Sequence, residues 1–498
     1  MYEFHQNMEI TYVNSPYAEK NPFLSVKAHK SVLPAYDSAR SLLPEIVWEG
    51  KNETVACYNK AWELAFSHLN NPTDGSGFVS PFIDTAFNGN LFMWDSSFIL
   101  MFAKYAARAF DFQQTLDNFY SHQHKDGFIS REIREKDGAE VYARLDPSST
   151  GPAVLAWCEY EYYLYSGDKS RIKDVYYPLL AYHMWMKKQR TWRDGTYFLS
   201  GLGCGMDNSP RQESGCNPRY EHGHMVWIDA CFQALIDCDM LIKIAAIAGI
   251  GEGVSELQTE KETLGAYINS RLWDETTGFY YDMYRDNRLS GVKTVASFWS
   301  LLSGIVPENR IARLVAHLEN ENEFKRPHRV PSLSYDHPAY QPEGAYWRGS
   351  VWAPTTYMVL RGLDRNGYFK QAHDIACNTV KNVVKVFAET GTLWENYAPE
   401  KAAHGNCAKA DFVGWTGLVP ISMLIEYVFG IRCSAPDKTV TWDIRLDGAY
   451  GVRNLSFANV TASFLHNADG SVEIKTNHPI TVKLVKDGKT DIRTCKPL

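Results

Sequence analysis

From about residue 50 to residue 430 apolar positions recur at helical spacing, broken by loops rich in Gly, Pro, Asn and Asp. In "GHMVWIDACFQALIDCDMLIKIAAIAGIG", Ile228, Phe232, Leu235 and Ile242 fall on one helical face and the segment stops on glycine. Comparable segments cover about 53–71, 94–109, 111–122, 151–166, 169–191, 253–273, 294–304, 308–320, 349–363, 367–389 and 412–430. About twelve helices in succession suggest six hairpins closed into an (α/α)6 barrel, inner helices alternating with outer ones, with a cleft among the loops at one end. No short repeat favours a solenoid. After Gly430 the period changes to two: "TVTWDIRLDGAYGVRNLSFANVTASFLHNADGSVEIKTNHPITVKLVKDGK" alternates apolar and polar residues between Asp-Gly turns. The mainly α chain is therefore divided into an extension (1–40), a barrel (41–432) and a small antiparallel β domain (433–498).

Composition narrows the class. In the 498 residues, 45% are hydrophobic and 22% charged, as in an ordinary globular protein. No apolar run is long enough to span a membrane, and "MYEFHQNMEITYVNSPYAEKNPF" lacks the basic start and apolar block of a signal peptide. The expected place is cytoplasmic, or periplasmic if a leader is removed. A net charge of −7 without a basic patch argues against nucleic acid. The ten cysteines show neither Cys-x-x-Cys nor zinc spacing, so free thiols are expected; Cys204 and Cys216 are near enough in sequence to bridge. No His/Asp/Glu cluster has ligand spacing, so neither metal nor cofactor is expected. Fourteen Trp and 29 Tyr suit a large core or a cleft for sugar faces.

Five segments place acid, cation and aromatic together where the helical pattern breaks: "NGNLFMWDSSF" (Trp94, Asp95), "HQHKDGFISREI" (His122, His124, Asp126, Arg131, Glu132), "EGAYWRGSVWAP" (Tyr346, Trp347, Arg348, Gly349, Trp352), "GTLWENYAPE" (Trp394, Glu395, Tyr397) and "DFVGWTGL" (Trp415). A sixth, "GMDNSPR", holds the lone carboxylate Asp207. Each has a plain structural account: turn chemistry for Asp-Asn-Ser-Pro, an N-cap for Trp-Asp, a cation–π pair for Trp-Arg, solvated loop residues for the two histidines. Recurrence of the whole set at helix starts favours a sugar cleft, where rings stack and charged groups read hydroxyls.

"MWDSS", "GMDNSPR", "YWRGSVWAPT", "WENY" and "FVGWTGL" occur in the same order as in glycoside hydrolase family 63. They most resemble its mannosylglycerate and glucosylglycerate hydrolase branch and are distantly similar to the family 37 trehalases. The resemblance spans about 80–430 and implies an (α/α)6 barrel that hydrolyses α-linked glucosides or mannosides with inversion. It also implies Asp207 as general acid, Glu395 as general base, and Trp94, Asp95, Tyr346, Trp347, Gly349 and Trp352 as the lining of the non-reducing sugar pocket. Arg348, Trp394, Trp415 and His124 complete the expected substrate contacts. Where trehalases carry Arg-Ser-Gln-Pro-Pro, this chain reads "LDPSSTGP" (Leu145 to Pro152).

The chemistry fits that pair. Inversion needs one protonated carboxyl for the leaving oxygen and one ionised carboxylate to activate water on the opposite face. Asp207, in a cation-poor loop, is expected to stay protonated, and Glu395 ionised. Arg211 and Arg219, near the acid loop, are candidates for gripping a glycerate carboxylate. Trp347 and Trp352 are expected to matter more to binding than to folding. Two other classes remain: a sugar epimerase using His122, His124, His222 and His224 as acid and base, or an inactive carbohydrate-binding protein.

Overall fold

The computed structural model describes residues 13–84 and 88–497, so residues 1–12 of the expected extension lie outside the described residues. The rest of that extension holds two short 3-10 turns, Ala18–Lys20 and Pro22–Ser25, and one α-turn, Tyr36–Ala39, and the strand Glu45–Trp48 follows it.

Burial sorts the helices into two kinds. Every residue of Met93–Ala103 is buried, as is every residue of Val419–Val428; Ile228–Ala248 exposes only its last turns. Helices apolar all round belong inside. Phe369–Thr390 instead buries Ala372, Ile375, Ala376, Thr379, Val380, Val383, Val384 and Val386, one stripe at spacings of three and four. Glu308–Leu318 likewise buries only Leu314, Val315 and Leu318.

The buried kind pack in sequence: Met93–Ala103 on Leu155–Ser166, that on Ile228–Ala248, that on Ser300–Ser303, and that on Ala353–Arg365. Ala353–Arg365 touches Thr416–Leu418, which returns to Met93–Ala103. Amphipathic helices back them: Lys169–Gln189 and Val254–Arg271 on Ile228–Ala248, Phe369–Thr390 on Val419–Val428, and Asn52–Ser67 on Phe369–Thr390.

Three expected helices take other forms. The 111–122 segment is a 3-10 turn, Phe112–Leu116, running into one short α-turn, Asp117–Ser121. The 294–304 segment is Val295–Trp299 in 3-10 form plus Ser300–Ser303, stopped by left-handed Gly304. The 412–430 segment is a 3-10 turn and then a π-helix, Val419–Val428, in which Phe429 N–H donates to Leu424 O five residues back.

The β region departs further from expectation. It forms two four-stranded sheets. In the first, Glu45–Trp48 pairs antiparallel with Tyr450–Phe457, followed by Val460–His466 and Val472–Thr476. In the second, Ile431–Ser434, Thr439–Asp443, Ile480–Lys486 and Lys489–Cys495 lie side by side, and the pairing of Thr439–Asp443 with Ile480–Lys486 is parallel. The unit is thus neither wholly antiparallel nor wholly C-terminal: it starts at Ile431 and borrows a strand from the front of the chain. All ten cysteines are free thiols, Cys204 and Cys216 included.

Candidate active site

The loops leading into the N-terminal ends of the buried helices enclose a cavity of about 360 Å³. Trp94 and Asp95 reach it from the first turn of Met93–Ala103, Trp352 from the N-cap of Ala353–Arg365, and Trp415 from the N-cap of Thr416–Leu418.

Asp207 hangs from a short helix, Gly201–Cys204, whose N-cap Ser200 accepts from Gly203 N–H and whose C-cap Gly205 is left-handed. Gly201 lets this turn pass under the 217–219 segment: a Cβ there would lie 2.2 Å from Pro218 O and 2.7 Å from Asp207 O. Asn208 then ties the acid loop to the Tyr-Trp-Arg loop, since its Oδ1 accepts from Trp347 N–H at 2.8 Å and its Nδ2 donates to Ala345 O at 3.2 Å. Burial raises the Asp207 carboxyl above its ordinary value, opposed by Arg219, 3.3 Å away, and Arg131.

Glu395 faces the same cavity from the opposite loop and is 2% exposed. Its Oε1 accepts from Tyr346 O–H at 3.2 Å and its Oε2 from Lys409 N–H at 3.2 Å. Burial pushes it up to about 7 against those two bonds, and the Asp207 charge adds to the rise. It is therefore only partly ionised at neutral pH, less than expected for a base. Asp95, 5% exposed, is held well above the carboxylate range by burial, with Glu395 and Glu132 adding to it.

The aromatic wall is rigid. Trp347 and Trp352 stack with centroids 4.2 Å apart and planes 1° from parallel. Tyr346 meets Trp352 edge-on at 4.9 Å, and Trp415 meets it at 5.6 Å. Trp415 Nε1 donates to Glu395 O at 2.8 Å, so this wall also holds the backbone of the second carboxylate. Tyr346 adopts a left-handed φ of 60°, rare for a bulky residue. The indole N–H of Trp94 is buried with no acceptor among the described residues.

Four expected contacts stand off the cavity wall. Arg348 Nε donates to Asn208 O at 3.3 Å, bracing the acid loop from behind. Gly349 makes the turn, with φ 131° and Gln341 O 2.9 Å from where a Cβ would sit. Trp394 stacks on His404 at 3.8 Å and donates to Thr390 Oγ1. His124 binds Glu140 and Arg144. The other histidines of the epimerase reading also lie elsewhere: His122 sits between Asn118 O and Ser76 O, and His222 and His224 pack on Trp192. Arg211 is wholly buried, spanning Asp229 and Asp282 with four hydrogen bonds of 2.6–2.8 Å, and is not available to a ligand.

Arg219, a candidate for a glycerate carboxylate, lies on the cavity wall; Arg131, Glu132, Tyr142 and Lys409 line it too and were not among the expected substrate contacts. A three-residue pairing, Asn90–Phe92 with Glu132–Arg134, brings Glu132 beside Phe92; strands that short leave no alternation to read. The "SREI" charges next to the histidines were the available signal.

The model of the mannosylglycerate hydrolase MGH1-like glycoside hydrolase domain matches residues 89–416, which hold nearly every cavity residue. An uncharacterized protein of Borreliella burgdorferi is 27% identical over 392 residues, 76% of this chain and 80% of its own. A mannosylglycerate hydrolase of Thermus thermophilus is 25% identical over 345 residues, 55% of this chain and 82% of its own. A solved family 63 mannosylglycerate hydrolase of Thermus thermophilus, in complex with glucose, has the same fold over 73% of this chain and 99% of its own, with TM-score 0.59 and 21% identity.

Proposed function

We infer the reaction from the premise that this chain belongs to the mannosylglycerate hydrolase MGH1-like glycoside hydrolases and is a glycoside hydrolase. It removes a glucose or mannose unit from the non-reducing end of a small α-linked glycoside, with inversion. The leaving group is a second sugar, a short oligosaccharide or glycerate. The observation that carries this reading is that Asp207 and Glu395, 188 residues apart (395 − 207), line one aromatic-walled cavity. Its volume lies near the lower end of the roughly 300–1,000 Å³ usual for small-ligand sites.

Protonated Asp207 donates to the glycosidic oxygen as the bond to C1 breaks. Ionised Glu395 takes a proton from the water that attacks C1 from the other face, giving the β-anomer. Tyr346 O–H and Lys409 N–H, both donating to Glu395, favour its ionised form and aim its free lone pairs. Arg219, half exposed and beside Asp207, is placed to meet an anionic leaving group. The packing order of the buried helices, their amphipathic backing and the Thermus thermophilus fold likeness support an (α/α)6 barrel carrying this site. All cavity residues fall within 41–432, consistent with that stretch as the catalytic unit. The epimerase alternative lacks a histidine on the wall among the described residues.

Asp207→Asn and Glu395→Gln are expected to lower turnover on natural glycosides by roughly 10²–10⁴-fold or more while melting near wild type. A glycosyl fluoride, whose leaving group needs little protonation, restores Asp207→Asn and not Glu395→Gln; the opposite pattern reverses the roles. Proton NMR in the first minutes shows β-product, and α-product refutes inversion.

A further inference from the structure

Away from the cavity, three helices bring together a second chemical cluster. His183 comes from Lys169–Gln189, Cys238 from Ile228–Ala248 and Glu260 from Val254–Arg271. All three are buried, at 2%, 0% and 6% exposure, and one ligand atom of each lies within 4.8 Å of the others. We propose that His183 Nε2, Cys238 Sγ and Glu260 carboxylate form a structural zinc site that clamps the two amphipathic helices to the buried helix between them.

Two of the three edges have the length of a coordination shell, and the third, Cys238 to Glu260, lies within 4.8 Å. His183 Nε2 lies 3.2 Å from Glu260 Oε2 and 3.5 Å from Cys238 Sγ. Tetrahedral Zn²⁺, with bonds of about 2.0 Å to N and O and about 2.3 Å to S, has N–O edges of about 3.3 Å and N–S edges of about 3.5 Å. The surroundings prepare the donors. Asp237 Oδ2 accepts from Nδ1–H of His183 at 2.7 Å, which orients the ring so that Nε2 faces the cluster. Tyr197 O–H donates to Glu260 Oε1 at 2.5 Å and fixes that carboxylate, while Lys187 Nζ caps it at 2.9 Å from the solvent side. Imidazole, thiolate and carboxylate together suit Zn²⁺ better than Ca²⁺ or Mg²⁺. Thiolate and carboxylate would balance the ion's charge, and water would take the fourth position. No spacing rule could find this set, since its members lie 55 (238 − 183) and 22 (260 − 238) residues apart along the chain.

Tag-free protein is incubated with one equivalent of ZnCl₂, passed through metal-free buffer and assayed by elemental analysis. Close to one zinc per chain is expected for the wild type, falling at least tenfold in Cys238→Ser. A wild type without bound zinc, or a Cys238→Ser chain that keeps it, overturns the proposal. Should Cys238→Ser not fold, wild type loaded with Co²⁺ decides: a thiolate-to-cobalt charge-transfer band supports the site, and its absence refutes it. His373 and Cys377, with Sγ 3.4 Å from Nε2, form another His–Cys pair, so Cys377→Ser, which must keep the band, excludes that source.

Discussion

Glu395 sets the acid side of the activity profile. Burial pushes its carboxyl up to about 7, and a base works only when ionised, so kcat/KM is expected to rise with pH through about 7. Tyr346 O–H donates to that carboxylate and lowers its value; Tyr346→Phe should move the rising limb upward by up to about one pH unit. Initial rates at low substrate across pH check both. The tryptophans require a change of view: Trp347 and Trp352 are 2% and 0% exposed and stacked on each other, so Trp352→Ala should cost about 3–5 kcal/mol of stability and not only affinity. Urea unfolding measures it. Asp207, Trp94 and Glu395 share one cavity, a grouping that came from the recurrence of such segments and the family resemblance, since each segment alone reads equally well as turn or cap chemistry. Arg348 and His124 carried the same signature and serve neighbouring loops, because composition says nothing of which way a side chain turns.

The elements that matter most to the site are held by a buried ion cluster. Arg211 closes the acid loop onto Asp229, in the first turn of Ile228–Ala248, and onto Asp282, which also accepts Ile228 N–H at 2.9 Å. Arg211→Met leaves two buried carboxylates without their cation and should lower stability by about 3–5 kcal/mol, read as a fall in the urea midpoint. Neighbouring Asp207 should lose its placement, so activity falls further than the folded fraction. Helix positions were legible from spacing, whereas their type was not. A period near 3.6 covers 3-10, α and π turns over ten residues, and the wider coil shows in the backbone bonding, as in the Phe429-to-Leu424 bond.

At the scale of the whole molecule, the helices and the sheets share a seam. Trp48 packs edge-on against Phe429 at 5.2 Å, and Phe429 against Tyr450 at 5.2 Å, joining the front strand, the last helix and the first sheet. A chain ending at Gly430 would uncover that seam and strip Glu45–Trp48 of its partner; it should bind apolar dyes and aggregate on purification, which size-exclusion chromatography would reveal. Alternation along 439–486 announced strands, but pairing with residues 45–48 could not be read, because a partner so distant leaves no local trace. That pairing has a consequence in time. Trp48 and Tyr450 are 402 residues apart (450 − 48), and a ribosome adding about 5–20 residues per second needs roughly 20–80 s to bridge them. Throughout that interval the nascent chain carries an apolar strand with both edges open, so its earliest folded part leaves the ribosome in need of shelter until nearly the last codons are read.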